Sequence, residues 1–299
     1  MPHLTEVEAS TGRKFYLDEP DDLRPDEPVT FILNLHGGGS VGAWQRLYFP
    51  AHDYMNAFRI VEATPSAATK EPARRWVGEA DDEHLQGIVR QMIGRYGPER
   101  IRAFWLVGHS QGGMTSQRLL NTPFFADRVD GWVSLSGGRL GPAERAQGAG
   151  PPPRPGAPPA PPFPIGARPE PPAADFSFIF AVGEHEIAAL PETSPWAEKY
   201  GAGPHERRPD VVDTVAGQIH DTGREAYSTK LWGLKPGPGT ARVWVYPGAR
   251  DGRVIADVVR LDKGHTEGLE PNVTETILQL MMQEPGGKIR KLGLVSLKA

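Results

Sequence analysis

The chain contains no cysteine, no apolar run near the ~18 residues that a membrane helix needs, and no stretch dominated by lysine or arginine. Each absence removes a class of function. Without cysteine there is no disulfide framework, no thiolate nucleophile and no thiolate metal site. Without a long apolar run there is no membrane span. The formal charge of -4 is small for 299 residues and the charges are interspersed, so no basic stripe exists to track a phosphate backbone, and nucleic acid is not expected as a partner. The opening stretch, MPHLTEVEASTGRKFYLDE, has neither the basic start nor the apolar centre of a secretion signal. The chain therefore reads as soluble and cytoplasmic, or as secreted if a leader has been removed.

Several short, unbroken apolar runs are present. VTFILNL (29–35) ends in HGGGS, and IRAFWLV (101–107) ends in GHSQGG. Runs of this kind suit central strands covered on both faces. RIVEAT (59–64), GWVSLSG (131–137), FSFIFAVG (176–183) and VIADVVRL (254–261) read as further strands, and LTEVEAS with KFYLDE as an antiparallel hairpin at one edge. Between them, Leu85, Ile88, Val89, Met92, Ile93 and Tyr96 recur at helical spacing over 79–96, before a Gly-Pro stop. Val273, Ile277, Leu280 and Met281 share one face of a helix that starts near Pro271. Strands alternating with helices predict an α/β fold, with a mostly parallel central sheet and helices on both faces.

Two stretches break the rhythm. Between Pro142 and Pro172 lie 13 of the 31 prolines, so 138–174 is expected to be a proline-rich insertion loop: a solvated excursion, a flap over the site, or a docking segment for a partner's aromatic groove. Residues 187–241, rich in Pro, Gly and Trp, read as a small cap or lid. The whole of 1–299 is expected to form one domain.

Ser110 stands in GHSQG, a glycine two places before it and another two places after. A sharp turn from strand to helix strains its middle residue and leaves no room for side chains two positions to either side. That arrangement would expose the hydroxyl at the sheet edge as a nucleophile. HGGGS supplies backbone N–H groups at the same edge, so Gly38, then Gly39, together with Gln111, are the expected oxyanion donors. For the base, His265 in DKGHTEG follows the last predicted strand. His36 and His109 adjoin the glycine motifs and are expected to shape their turns, while His3, His52, His84, His205 and His220 read as surface or loop residues. For the acid, Glu186 lies three residues past Gly183 in the chain order Ser, acid, His, with Glu184, Asp210, Asp213, Asp221 and Asp251 as alternatives. No H-E-x-x-H or similarly spaced ligand set suggests a metal, and no cofactor is implied. Phe31 and Trp105 are expected in the core. Trp44, Trp76, Trp196 and Trp232 fall on predicted loops, where they either line an acyl pocket or pack structurally.

Taken in order, LHGGGS, VGHSQGGM, VGEHE and DKGHTEG resemble the α/β-hydrolase superfamily, and within it the poly(3-hydroxybutyrate) depolymerase and feruloyl-esterase-like branch. The DDEHLQGIV segment (81–89) is similar to the helix that precedes the nucleophile strand in that branch. The resemblance spans most of 29–283 and implies an α/β-hydrolase fold with Ser110 as nucleophile, His265 as base, Glu186 as acid, and Gly38 with Gln111 as oxyanion donors. It also implies a serine esterase acting on a small or polymeric ester without a cofactor. That branch commonly has aspartate where this chain has Glu186, and many of its members carry disulfides that are impossible here. The same side chains can cleave a C–C bond in a β-diketone, a thioester or an amide, and a non-catalytic binding protein could keep the fold.

Overall fold

A computed structural model describes residues 4–71, 73–140, 144–145, 172–218, 232–233 and 237–296. The strands are β1 (Leu4–Val7), β2 (Lys14–Asp18), β3 (Val29–Leu35), β4 (Ile60–Pro65), β5 (Ile101–His109), β6 (Gly131–Leu135), β7 (Glu144–Arg145), β8 (Ser177–Gly183), β9 (Ile187–Ala189), β10 (Glu206–Arg207), β11 (Val211–Val212), β12 (Thr240–Val245) and β13 (Ile255–Arg260). The helices are α1 (Gly42–Tyr48), α2 (Met55–Phe58), α3 (Gly78–Tyr96), α4 (Gln111–Leu120), α5 (Pro123–Ala126), α6 (Pro195–Lys199), α7 (Pro271–Met282) and α8 (Lys288–Ser296).

Eleven strands form one mixed sheet in the order β1-β2-β4-β3-β5-β6-β8-β13-β12-β10, with β11 also on β12; β7 and β9 pair separately. The six central strands, β4 to β13 in that order, run parallel. Antiparallel pairs close both ends. Every residue of β3, β4, β6, β8 and β13 is buried, as suits strands covered on both faces, including the charged Glu62 of β4 and Asp257 and Arg260 of β13. Side chains alternate between two cores along each strand. Phe31, Leu33, Leu35, Phe104 and Leu106 meet the Leu85, Ile88, Val89 and Met92 face of α3 and Ile289 of α8. Ile32, Trp105 and Val107 meet Tyr48 of α1 and Val273, Ile277 and Met281 of α7. Helices thus cover both faces.

The predicted central strands and the helices at 79–96 and 271 onward lie within a residue or two of their expected bounds, and the edge hairpin forms, its first strand ending at Val7, short of the expected LTEVEAS. β12 was not among the predicted strands. Its residues alternate half-buried and buried, so it lacks the continuous apolar run that marks a central strand. Within 187–241, β10 and β11 lie against β12 and extend the sheet edge. Residues 219–231 and 234–236 of that stretch lie outside the described residues, as do His3, His220, Asp221 and most of the 138–174 insertion (141–143 and 146–171). Among the described residues no helix is long and apolar enough to cross a membrane.

Candidate active site

Ser110 is the single residue between β5 and α4. Its backbone sits at φ 51°, ψ -116°, a region that L residues with a side chain rarely adopt and that costs on the order of 1–3 kcal/mol. The turn is held by the Ser110 N–H donating to the Leu135 carbonyl at 2.8 Å and by the Met114 N–H donating to the Ser110 carbonyl at 3.1 Å. The flanking glycines are sterically required. A Cβ on Gly108 would stand 2.4 Å from the Gly112 carbonyl carbon, and one on Gly112 would stand 2.2 Å from the Leu35 carbonyl oxygen. This is the physical content of the G-x-S-x-G spacing: α4 passes so close to β3 and β5 that only hydrogen fits.

His265 lies on the loop between β13 and α7, and its Nε2 is 2.8 Å from Ser110 Oγ. Its Nδ1 is 2.6 Å from Glu186 Oε2. A carboxylate can only accept, so Nδ1 carries the hydrogen and Nε2 is left to accept the proton of the serine hydroxyl. Glu186, in the 3-10 turn that follows β8, is itself held. Its other oxygen accepts from Ser136 Oγ at 2.7 Å and from the Gly183 N–H at 3.1 Å. Gly183 is the hinge of this arrangement, since a Cβ there would stand 2.3 Å from the Lys263 carbonyl oxygen on the His265 loop. None of the described alternatives to Glu186 sits beside the imidazole. Glu184 accepts from the Asp262 N–H, Asp210 pairs with Arg207, and Asp213 accepts from the Asn272 and Val273 N–H groups at the start of α7. Asp251 lies in a turn before β13 with φ 61°.

The His265 loop is built on buried charge. Arg260, 3% exposed, donates to the Glu267 and Gly268 carbonyls and pairs with Glu270 at 2.9 Å, while the Gly264 N–H donates to Glu267 Oε2 at 2.7 Å. Burial, the largest single influence, would lower the Arg260 pKa, but its interactions with Glu270, Tyr48 and Glu267 together raise it and the guanidinium stays charged; in turn Arg260 lowers the Glu270 pKa against the effect of burial. The imidazole is flanked on two sides. Trp232 stacks on it with centroids 4.9 Å apart and planes at 25°, held by its carbonyl accepting from Thr266 N and Oγ1. On another side His109 lies 4.9 Å from it, with His109 Nε2 donating to the His265 carbonyl at 2.9 Å and its ring stacked on Tyr48 at 3.9 Å.

The glycine-rich loop after β3 reaches the same edge. Gly37 packs against His109 and Ser110, where a Cβ would come within 2.7 Å of His109 Nδ1, and Gly38 faces the Gln111 side chain. His36 shapes the turn: its Nδ1 donates to the Gly37 carbonyl at 2.7 Å, and its Nε2 accepts from the Ala67 N–H at 3.0 Å. Of the expected oxyanion donors, Gly39 is already engaged, its N–H donating to the Arg74 carbonyl at 2.7 Å. Gly38 borders the same hollow as Ser110 and adjoins the Gln111 side chain, and Gln111 is the first residue of α4, whose N–H has no acceptor within its own helix. Gly37, Gly38, Ser40, Ser110, Trp232 and His265 border a hollow of about 30 Å³.

Three side chains here carried no functional reading in the sequence. Ser136, Tyr48 and Arg260 are isolated residues on separate segments, and only the fold makes them neighbours of His265 or Glu186, whereas Trp232, expected either to line an acyl pocket or to pack structurally, borders the hollow and stacks on His265. The one signal was the placement of Ser136 just beyond a strand end, the edge where sites assemble in open α/β sheets. Trp76 and Trp196 pack structurally at 6% and 1% exposure, Trp44 lies on α1, and Phe31 and Trp105 are fully buried. His52, His84 and His205 are placed away from Ser110; His84 is fully buried against Thr11 and Glu8, so it is a core residue rather than the surface residue expected. Burial, reinforced by the Arg13 charge, lowers its pKa to about 4 and keeps it neutral. Among the described residues no group of three His, Asp or Glu side chains converges as a metal site.

No family model and no curated protein sequence matches the chain. Among solved structures, the chain is similar to an acetyl xylan esterase from Aspergillus awamori, with 11% identity, a TM-score of 0.51, and 94% of this chain and 98% of that one covered. It also aligns with TT1662 from Thermus thermophilus, at 16% identity and a TM-score of 0.47 over 95% and 99% of the two chains, and with an esterase from Thermogutta terrifontis, at 15% identity and a TM-score of 0.39 over 61% and 70%. With its central parallel strands, the serine at the turn out of β5 and this likeness in overall path, the chain has the α/β-hydrolase fold.

Proposed function

We propose that the protein is a serine esterase that hydrolyses a carboxylic ester through an acyl-enzyme, with Ser110 as nucleophile, His265 as general base and Glu186 as the orienting acid. The observation that carries this reading is the unbroken relay from Ser110 Oγ to His265 Nε2 at 2.8 Å and from His265 Nδ1 to Glu186 at 2.6 Å. Ser110 Oγ attacks the ester carbonyl while its proton passes to Nε2. The new oxyanion is met by the N–H groups of Gly38 and Gln111 at the positive end of α4. The imidazolium, steadied by Glu186 and by the face of Trp232, returns the proton to the departing alcohol. Water, activated by the same imidazole, then releases the acid, and no cofactor is consumed.

The hollow bordered by Ser110, His265 and Trp232 is the place for the acyl group, and acetyl-sized esters are our first choice for it. The acetyl xylan esterase whose path the chain follows is consistent with this choice. In this reading residues 1–299 form one catalytic domain, on which 138–174 and 187–241 are elaborations.

The test is hydrolysis of p-nitrophenyl acetate, butyrate and octanoate by the parent chain and by Ser110→Ala, with a fluorophosphonate probe as a second readout. The parent should prefer acetate and label on Ser110. The variant should lose at least about 10³-fold in turnover and all labelling. Undiminished hydrolysis by Ser110→Ala would remove the serine from its role. A parent chain that neither labels nor turns over would favour a binding protein, and preference for octanoate would refute the acetyl-sized pocket.

A further inference from the structure

A larger concavity, about 500 Å³, lies between the β1–β2 edge and the segment after β4. It is of a size that holds a small organic molecule. Its wall is shared with the site already described, because Arg74 lines it while its carbonyl accepts the Gly39 N–H, and Ala67 lines it while its N–H holds His36.

Its charge is one-sided. Arg13, Lys14, Lys70 and Arg74 line it, and among the described residues no carboxylate does. Arg13 is neutralised by Asp81 at 2.8 Å. The other three cations have no carboxylate partner among the described residues: Arg74 donates to the Ala67 carbonyl, and Lys14 and Lys70 stand exposed. A chain with a formal charge of -4 therefore gathers three uncompensated positive charges around one concavity. Such an arrangement is held against its own repulsion, which a bound anion would relieve.

From the cavity and its charge we infer that this concavity is a binding site for a small organic polyanion, whose charge is carried by carboxylate or phosphoryl groups. Lys14 and Lys70 act as the point charges that engage it, and Arg74 supplies a planar fork. The site is separate from the ester-cleaving centre and does not depend on how Ser110 is used.

The experiment is calorimetric titration of the full chain with citrate and, separately, with inositol hexakisphosphate, at low and at physiological salt. The parent is compared with the double variant Lys14→Glu/Lys70→Glu and with Lys291→Glu, an exposed charge reversal on α8. At least one probe should bind saturably to the parent and weaken as salt rises. Binding should fall about tenfold or more in the double variant and stay unchanged in Lys291→Glu. Thermal melts identify any variant that has failed to fold, and Lys14→Gln/Lys70→Gln then replaces it. The site is overturned if neither probe binds saturably, if a folded double variant binds as tightly as the parent, or if Lys291→Glu weakens binding as much.

Discussion

At the scale of single residues, the arrangement divides labour between groups that touch the reacting atoms and groups that hold them in place. Glu186 is the clearest case of the second kind, because each of its oxygens has an assigned partner: one faces the imidazole, and the other is fixed by Ser136 and Gly183. Replacing Glu186 by Gln preserves shape but places a neutral amide beside Nδ1, so the tautomer and the imidazolium both lose support. Turnover should fall about 10³–10⁴-fold with KM nearly unchanged and the thermal midpoint kept. Steady-state kinetics beside a melting curve checks this, and a variant that retains parental kcat would show that another group orients the ring. Glu186 was readable because it follows a strand end at a fixed offset from Gly183. Ser136 was not, because a serine beyond a strand is common and its role exists only through a residue 50 positions away.

At the scale of elements, the turn from β5 into α4 decides where the hydroxyl goes. In helices, exchange of Gly for Ala ordinarily gains about 1 kcal/mol. At Gly112 that gain meets a Cβ 2.2 Å from the Leu35 carbonyl oxygen and 2.7 Å from that of His36, both backbone atoms that cannot turn away. The clash wins: Gly112→Ala should destabilise by about 3 kcal/mol or more and abolish turnover. Gly94→Ala in α3, where nothing lies within 4 Å, should instead stabilise by up to about 1 kcal/mol. Denaturant midpoints of the two variants test the pair, and a neutral Gly112→Ala would show that α4 can back away from β3. The GHSQG spacing made this element legible from the sequence. The antiparallel β12 was harder to find, because a strand with alternating burial carries a weaker apolar signal than the central runs.

At the scale of the whole molecule, a buried carboxyl couples global stability to pH. Glu62 in β4 is fully buried and accepts from Asn34 Nδ2, while among the described residues its second oxygen has no partner. Burial, and then the nearby Asp18 charge, raise its pKa to about 8 against the opposing hydrogen bond from Asn34 and charge of Arg46. The folded chain thus keeps a proton that the unfolded chain releases near an ordinary glutamate value of about 4.3. Between these values the folded state binds more protons, so stability is fully present below about pH 4.3 and declines as pH rises toward about 8, by at most about 1.4 kcal/mol per unit. Glu62→Gln should remove this contribution, and urea midpoints at pH 5.5 and 8 should converge relative to the parent. Parallel behaviour of the two proteins would mean that Glu62 is ionised in the fold.

The sequence by itself determined the central strands, the two long helices and the turn at Ser110, because each depends on apolar periodicity or on local backbone geometry within about a dozen residues. It also placed His265 and Glu186 just past strand ends. Only the tertiary structure decided that the Gly39 amide is spoken for by Arg74, that Trp232 covers the imidazole, that Arg260 braces its loop and that three cations converge beside β1 and β2. Those are contacts between segments far apart in the chain, and their partners are fixed by how strands stack in the sheet, which no local pattern encodes.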